Sequence, residues 1–440
     1  MQLNQLLSRV QKFLRRLGVK RIWGITAILQ ILILLIFFIT WPTSPPVNLT
    51  LVIPASDATY WSSLTNDFEA KNQDIRISLV EVKNRQGDLT EKLKEFHTLN
   101  FRAGNSYDLI YMDIIWVSEF ADQGWLMNLS DRISSKELAE FIKSDVTAGR
   151  YNSGLYRIPF SSDIGLLYYR KDLLEKAGYQ PPETFQELLQ ISQTLQKQGS
   201  VKWGYLWQGR EYEGLSAMFV EVLHGYGGFW INPATYEVGL DRPEAIAAVR
   251  FLLSTIEKNV SPAAVISYSE DESLAEFQQG NAVFLRGWPD RWATLNAKDS
   301  PIRGKVGIQP IRLHAQGHSG GGCNGSWGLG IAQTSKHPDQ AWKAIKYLTN
   351  AQAQRQFILE TPHLPSRKTL FSDSKLVKKY PHFQQLSTAV QSSVLRPPIP
   401  EYAPASEILQ RHLHETLSKQ RSPEQAMKAA AVETRKLLNQ

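Results

Sequence analysis

Apolar residues along this chain switch repeatedly between two spacings. Leu49–Ile53 is a mostly apolar run of strand length, and Tyr60, Trp61, Leu64 and Phe68 then recur at helical intervals. Ile75, Ile77 and Leu79 alternate with polar residues as a second strand. Asp88–Glu91 resembles a capping box opening a helix that carries Leu89, Leu93 and Phe96. Tyr107–Met112 reads as the next strand and ends at Asp113, and Gly124 closes a helix holding Trp116 and Phe120. A second series begins with a strand at Ile164–Tyr169 and a helix, opened by Thr184, that carries Phe185, Leu188, Ile191 and Leu195. Helices over 212–224, 243–257 and 269–279 follow, then a strand at Ala282–Leu285 and a flexible Gly-rich turn at Gly317–Gly325. One long helix is predicted from Pro338 to Leu359. Beyond Pro362 and Pro365, two or three more end near Leu438, the last starting with Pro423 at its first position. Strands alternating with helices predict α/β layers, and 440 residues exceed one ordinary core.

The N-terminus breaks this rhythm. Residues 22–41 are uncharged and mostly apolar, and at ~1.5 Å per helical residue they would reach ~30 Å, the thickness of a hydrocarbon core. Arg9, Lys12, Arg15, Arg16, Lys20 and Arg21 precede them with no acid, which keeps residues 1–21 cytoplasmic and places the rest outside. The apolar run is long for a signal peptide and Thr43–Pro46 makes a poor cleavage site, so an uncleaved anchor is preferred to a cleaved signal. No cysteine follows that run to carry a lipid, and Cys323 is the only cysteine in the chain. The formal charge of +7 lies almost wholly in this segment; 43 basic residues against 42 acidic remain after it, which argues against nucleic acid as a partner.

Candidate chemistry sits at strand ends and in turns. Asp113 follows a strand, where open α/β sheets place their ligands, and Asp163 opens the second series. A carboxylate at either place can accept hydroxyl donors through two oxygens, or can simply cap a helix. Trp288 (in RGWPDRW, Arg286–Trp292) and Trp327 (in GSWG, Gly325–Gly328) occupy turn-like contexts, whereas Trp203, Trp207 and Trp230 read as packing. An indole can stack on the C–H face of a sugar ring while nearby polar groups bond its hydroxyls. The loop from His314 to Cys323 lacks both the Lys-Ser/Thr ending of a phosphate cradle and a metal-ligand spacing. No nucleophile elbow, zinc-protease helix, paired-cysteine motif or cofactor motif appears. The abundant Asp and Glu would nevertheless allow a glycosidase, which leaves a membrane-anchored extracytoplasmic glycoside hydrolase or a sugar-sensing module as the alternative to a binding protein.

Several segments together resemble the maltose/trehalose-type solute-binding proteins of ABC transporters. These are YDLIYMDIIW (Tyr107–Trp116) with EFADQGWL (Glu119–Leu126), IPFSSDIGLLYYRKDLL (Ile158–Leu174), and WQGREYEG (Trp207–Gly214) with GYGG (Gly225–Gly228). GLGI (Gly328–Ile331), PDQAWKAIKYL (Pro338–Leu348) and RPP (Arg396–Pro398) continue the match. The resemblance covers nearly everything after residue 48. It implies a two-lobed periplasmic-binding-protein fold of type II kind with discontinuous lobes, here preceded by one transmembrane helix. It also implies a non-enzymatic, monomeric receptor that closes on a carbohydrate and delivers it to the transmembrane permease subunits. Carried over by position, Asp113, Asp163, Trp288, Trp327 and Arg396 become the expected sugar contacts. Asp290 joins them: an aromatic often stands at its place, as one often does at Ser161, and both departures make the pocket more polar. The implied layout is lobe 1 from 49–161 and 326–362, lobe 2 from 162–325 and 363–440, and 42–48 as a spacer. The passages between lobes fall near Phe160–Asp163, Gly322–Ser326 and Thr361–Pro365.

Overall fold

A computed structural model describes residues 8–12, 30, 45–83, 89–105 and 107–439. Apart from residue 30, the segment 22–41 expected to span the membrane lies outside them. Among the described residues no helix is long and apolar enough to cross a membrane.

In chain order the strands are β1 (Val47–Pro54), β2 (Ile75–Val82), β3 (Leu109–Asp113), β4 (Arg150–Tyr151), β5 (Gly154–Leu155), β6 (Ile158–Ser162), β7 (Leu166–Arg170), β8 (Trp203–Leu206), β9 (Ala282–Gly287), β10 (Val306–Pro310), β11 (Trp327–Ile331) and β12 (Leu364–Pro365). They form a six-stranded sheet in the order β12-β6-β11-β3-β1-β2, a four-stranded sheet in the order β10-β7-β9-β8, and the β4–β5 hairpin. β1 pairs in parallel with β2 and β3, and Leu49, Leu51, Val52 and Ile53 are fully buried, as a strand covered on both faces requires. Trp61, Leu64 and Phe68 face the core from the helix Ala58–Lys71, and a capping box of Thr184 with Glu187 starts the helix Phe185–Lys197.

Each sheet anchors one α/β lobe, and the chain passes between them three times. Asp163–Gly165 joins β6 to β7, and Gly322–Ser326 returns the chain to β11. The third passage is not at Thr361–Pro365. Leu364–Pro365 instead forms an edge strand against Ser162 and Ser161 of β6, where a proline's missing N–H interrupts no ladder. Residues beyond it remain on the first lobe: Ile142 N–H donates to the Ser366 carbonyl at 2.8 Å, and Ser144 Oγ to the Val390 carbonyl at 2.6 Å. The crossing comes at Ser393–Leu395. After it the helix Tyr402–Leu417 packs on Glu213–Gly225, and Pro423–Leu437 packs on Pro243–Glu257. The expected division at 362/363 therefore moves to about residue 393.

The three passages are bonded side by side. Gly165 N–H donates to Cys323 O (2.9 Å) and Gly325 N–H to Asp163 O (3.1 Å). Asn324 N–H reaches Val394 O (2.8 Å), and Val394 N–H reaches Gly322 O (2.9 Å). The last residues of the Gly-rich turn are thus a central strand of the junction. Cys323 lies buried within it, and burial pushes its thiol up to about 12. The long helix expected from Pro338 is two, Pro338–Leu348 and Ala351–Glu360, because Asn350 caps the second by accepting from Ala353 N–H at 2.8 Å.

Candidate functional site

A cavity of about 430 Å³ lies between the lobes, lined by strand ends from both sheets. Asp113, Asp163, Trp288, Asp290, Trp327 and Arg396 all border it.

The first wall comes from adjoining strands of the larger sheet. Asp113 ends β3 and is the register partner of Trp327, which opens β11. Asp113 Oδ1 caps the following turn by accepting from Ile115 N–H at 3.2 Å. Trp327 is braced by Trp116, edge-on at 5.3 Å between ring centroids, and by Tyr111 at 4.9 Å. Asp163 follows β6 and bonds its own neighbour, with Ile164 N–H donating to Oδ1 at 2.9 Å.

The second wall is built on the end of β9. Trp288 donates through Nε1 to Glu270 Oε1 at 3.1 Å, and the Arg286 guanidinium lies over the ring at 4.0 Å from its centroid. Glu270 also accepts from the Tyr212 hydroxyl at 2.5 Å. Asp290 follows by two residues, with Oδ1 3.5 Å from Arg291 Nε.

Arg396 links the parts. Nη2 reaches Asp113 Oδ1 at 3.3 Å and the Asn324 carbonyl at 3.2 Å, while Nη1 donates to Glu213 Oε1 at 2.7 Å. The Tyr402 hydroxyl and Ser406 Oγ bond the same Glu213 carboxylate. At the rim the lobes touch directly, because Glu91 of the first accepts from Glu213 N–H of the second at 3.3 Å. Beyond that contact lies an open crevice of about 870 Å³ that shares Glu91 and Glu213 with the cavity.

Acid dominates the electrostatics. Burial raises the Asp113 carboxyl, with Arg396 opposing the shift, and holds Asp163 well above its ordinary range, with the Asp290 charge adding to the effect. Asp57, beside Ser56 on the first wall, is raised by burial too, partly offset by His363, and Asp290 again repels it. Glu91 is raised by burial and by Glu213. Such carboxyls gain from donors that bring them no further negative charge, and hydroxyl groups are such donors. Among the described residues no three His, Cys, Asp or Glu side chains are grouped to hold a metal ion.

Glu213, Glu270, Arg291 and Glu91 also border the cavity, and residue spacing does not mark any of them as a ligand contact. Glu270 sits in a capping-box stretch and reads as helix start; Arg291 lies inside the RGWPDRW segment, which was the available signal for it.

Residues 54–355 match the profile of the bacterial extracellular solute-binding protein family. A probable ABC transporter-binding protein of Deinococcus radiodurans is 31% identical over 370 residues, covering 82% of this chain and 86% of its own length. The maltotriose-binding protein of Pyrococcus abyssi is 25% identical over 344 residues, 78% of this chain and 70% of the relative. Among solved structures, maltose-bound MalE3 of T. maritima superposes with a TM-score of 0.80 at 32% identity, covering 89% of this chain and all of that one. With two sheets, three passages and a cavity between lobes, the chain belongs to the bacterial extracellular solute-binding proteins.

Proposed function

We propose that this protein is the extracytoplasmic sugar receptor of an ABC importer, held on the outer membrane face by residues 22–41 and delivering its ligand to the permease subunits. One observation carries the reading: indoles and carboxylates from both lobes converge on one interlobe cavity. A ligand there touches both walls only when the lobes are together, so occupancy shifts the opening equilibrium and closure reports occupancy. Trp288 and Trp327 offer apolar faces to the C–H side of a sugar ring, and Asp113, Asp163 and Asp290 accept from its hydroxyl rim. The volume falls in the ~300–1,000 Å³ range of small-molecule sites. The maltose and maltotriose named for two relatives point to a glycoside. Of the two departures from the usual pattern, Asp290 borders the cavity while Ser161 is paired inside β6. Asp290 alone makes the pocket more polar, which favours a compact polar ligand such as trehalose, sucrose or glucosylglycerol beside maltose.

Calorimetric titration with those four compounds tests the reading. At least one binds tightly, and Trp288→Ala and Trp327→Ala each weaken it tenfold or more, about 1.4 kcal/mol. Unchanged affinity in both variants would sink the site assignment.

A further inference from the structure

Behind Trp288 lies an ion pair that no ligand can touch. Arg286 is 0% exposed and Glu221 2%. The guanidinium is held by two parallel bonds, Nε to Glu221 Oε2 at 3.0 Å and Nη2 to Oε1 at 2.7 Å. Gln208 braces it, accepting from Nη1 at 3.4 Å and donating to the Arg286 carbonyl at 3.1 Å. The pair has two outlets. On one side the guanidinium lies over the ring of Trp288, a residue that borders the cavity. On the other, Glu221 Oε1 accepts from Cys323 N–H at 3.0 Å, in the second passage between lobes. Glu221 also abuts the first passage: a Cβ at Gly165 would stand 1.7 Å from Glu221 Oε1 and 2.9 Å from Arg286 Nη2. Trp288 itself presses on the junction, for a Cβ at Gly325 would lie 2.9 Å from its Cζ3.

We infer that Glu221 and Arg286 are positioning residues that couple the stacking indole to the junction between lobes. The pair sets the angle of Trp288 from the backbone of Gly165 and Cys323, so a ring stacked on Trp288 favours the junction geometry in which the lobes are closed. Removing either charge alone strands the other in a dry site, whereas replacing both with apolar or neutral groups of similar volume is often tolerated. This inference rests on the cavity being a sugar site.

The test uses the full chain with maltose as probe, read by titration calorimetry, thermal melting and small-angle scattering with and without sugar. The double variant Glu221→Gln/Arg286→Met melts close to the parent, binds maltose at least tenfold more weakly, and shows a smaller sugar-induced contraction. In a Trp288→Ala background the same two changes cause no further loss of affinity, because their effect passes through the indole. Arg286→Lys keeps the charge, loses the two-pronged geometry and weakens binding with melting retained, which provides the readout should the double variant not fold. Parental affinity in either folded variant overturns the coupling, and so do losses that multiply with that of Trp288→Ala. If maltose does not bind the parent, the sugar that does bind in the four-compound titration replaces it; if none of the four binds, the sugar-site reading itself has failed, and the coupling with it.

Discussion

Two buried arginines flank the passage Gly322–Ser326, one from each lobe, and they are paired differently. In the second lobe, Arg286 meets Glu221 fork to fork, and the same carboxylate holds Cys323 N–H. In the first, Arg157 and Asp145 are both 0% exposed, yet the guanidinium misses the carboxylate. Arg157 Nη1 donates to the main-chain carbonyl of Asp145 at 3.2 Å and Nη2 to Ser326 Oγ at 3.2 Å. Asp145 Oδ1 accepts from Asn324 Nδ2 at 2.9 Å, while among the described residues Asp145 Oδ2 and Arg157 Nε have no hydrogen-bond partner. Burial therefore wins at Asp145, where Asn324 and Arg157 only partly oppose it, and the carboxyl is pushed up to about 6. A guanidinium and a carboxylate at similar depth thus give a firm anchor on one side and a charge held at a cost on the other, and geometry decides which.

The largest expected effect is on the firm side. Glu221→Gln leaves Arg286 buried without a counter-charge and lowers stability by about 3–5 kcal/mol in urea unfolding. A loss under 1 kcal/mol would erase the contrast.

On the other side the sign reverses at neutral pH. Asp145 has an ordinary value of 3.8 and a folded value of about 6, so the folded state holds the proton more tightly between them. Its contribution is fully present below about pH 4 and is lost as pH rises through about 6. Asp145→Asn should therefore gain on the parent by roughly 1–3 kcal/mol at pH 7 and lose that advantage at pH 4. Parallel stability–pH curves for the two proteins would refute this. The smallest effect is expected for Ser326→Ala, which removes one acceptor from Arg157 and costs about 1 kcal/mol at either pH; a loss like that of Glu221→Gln would mean the first-lobe contacts grip as firmly as the second.

Much of this arrangement can be read from residue spacing, and the unreadable part has a physical reason. Apolar runs locate β1 and β3, which are covered on both faces, alternation locates β2, and period-3.6 spacing locates the helix faces of both lobes. Asp113 falls where the strand predicted over Tyr107–Met112 ends, so its place at a strand end follows from the strand itself. Trp327, whose Gly-flanked context reads as a turn, instead opens the central strand β11. The third passage does not follow. Pro362 and Pro365 carry the local chemistry of a linker, and only the pairing of β12 with β6 shows an edge strand. The break at Asn350 was likewise hidden, since apolar spacing continues through it while one side-chain cap ends the register. Glu221 sits in a helix otherwise rich in buried apolar residues, and Arg286 in a buried strand. Nothing local announces that these two compensate each other from 65 positions apart.

The single thiol of the chain sits in the middle of the junction, fully covered, and at neutral pH it is almost wholly protonated. Thiolate is the form that alkylating reagents attack, so a folded, shut molecule presents them with no target. Each parting of the domains that lets water reach Cys323 would expose it briefly, and the labelling rate then counts those events. A ligand that holds the lobes together would then slow that labelling.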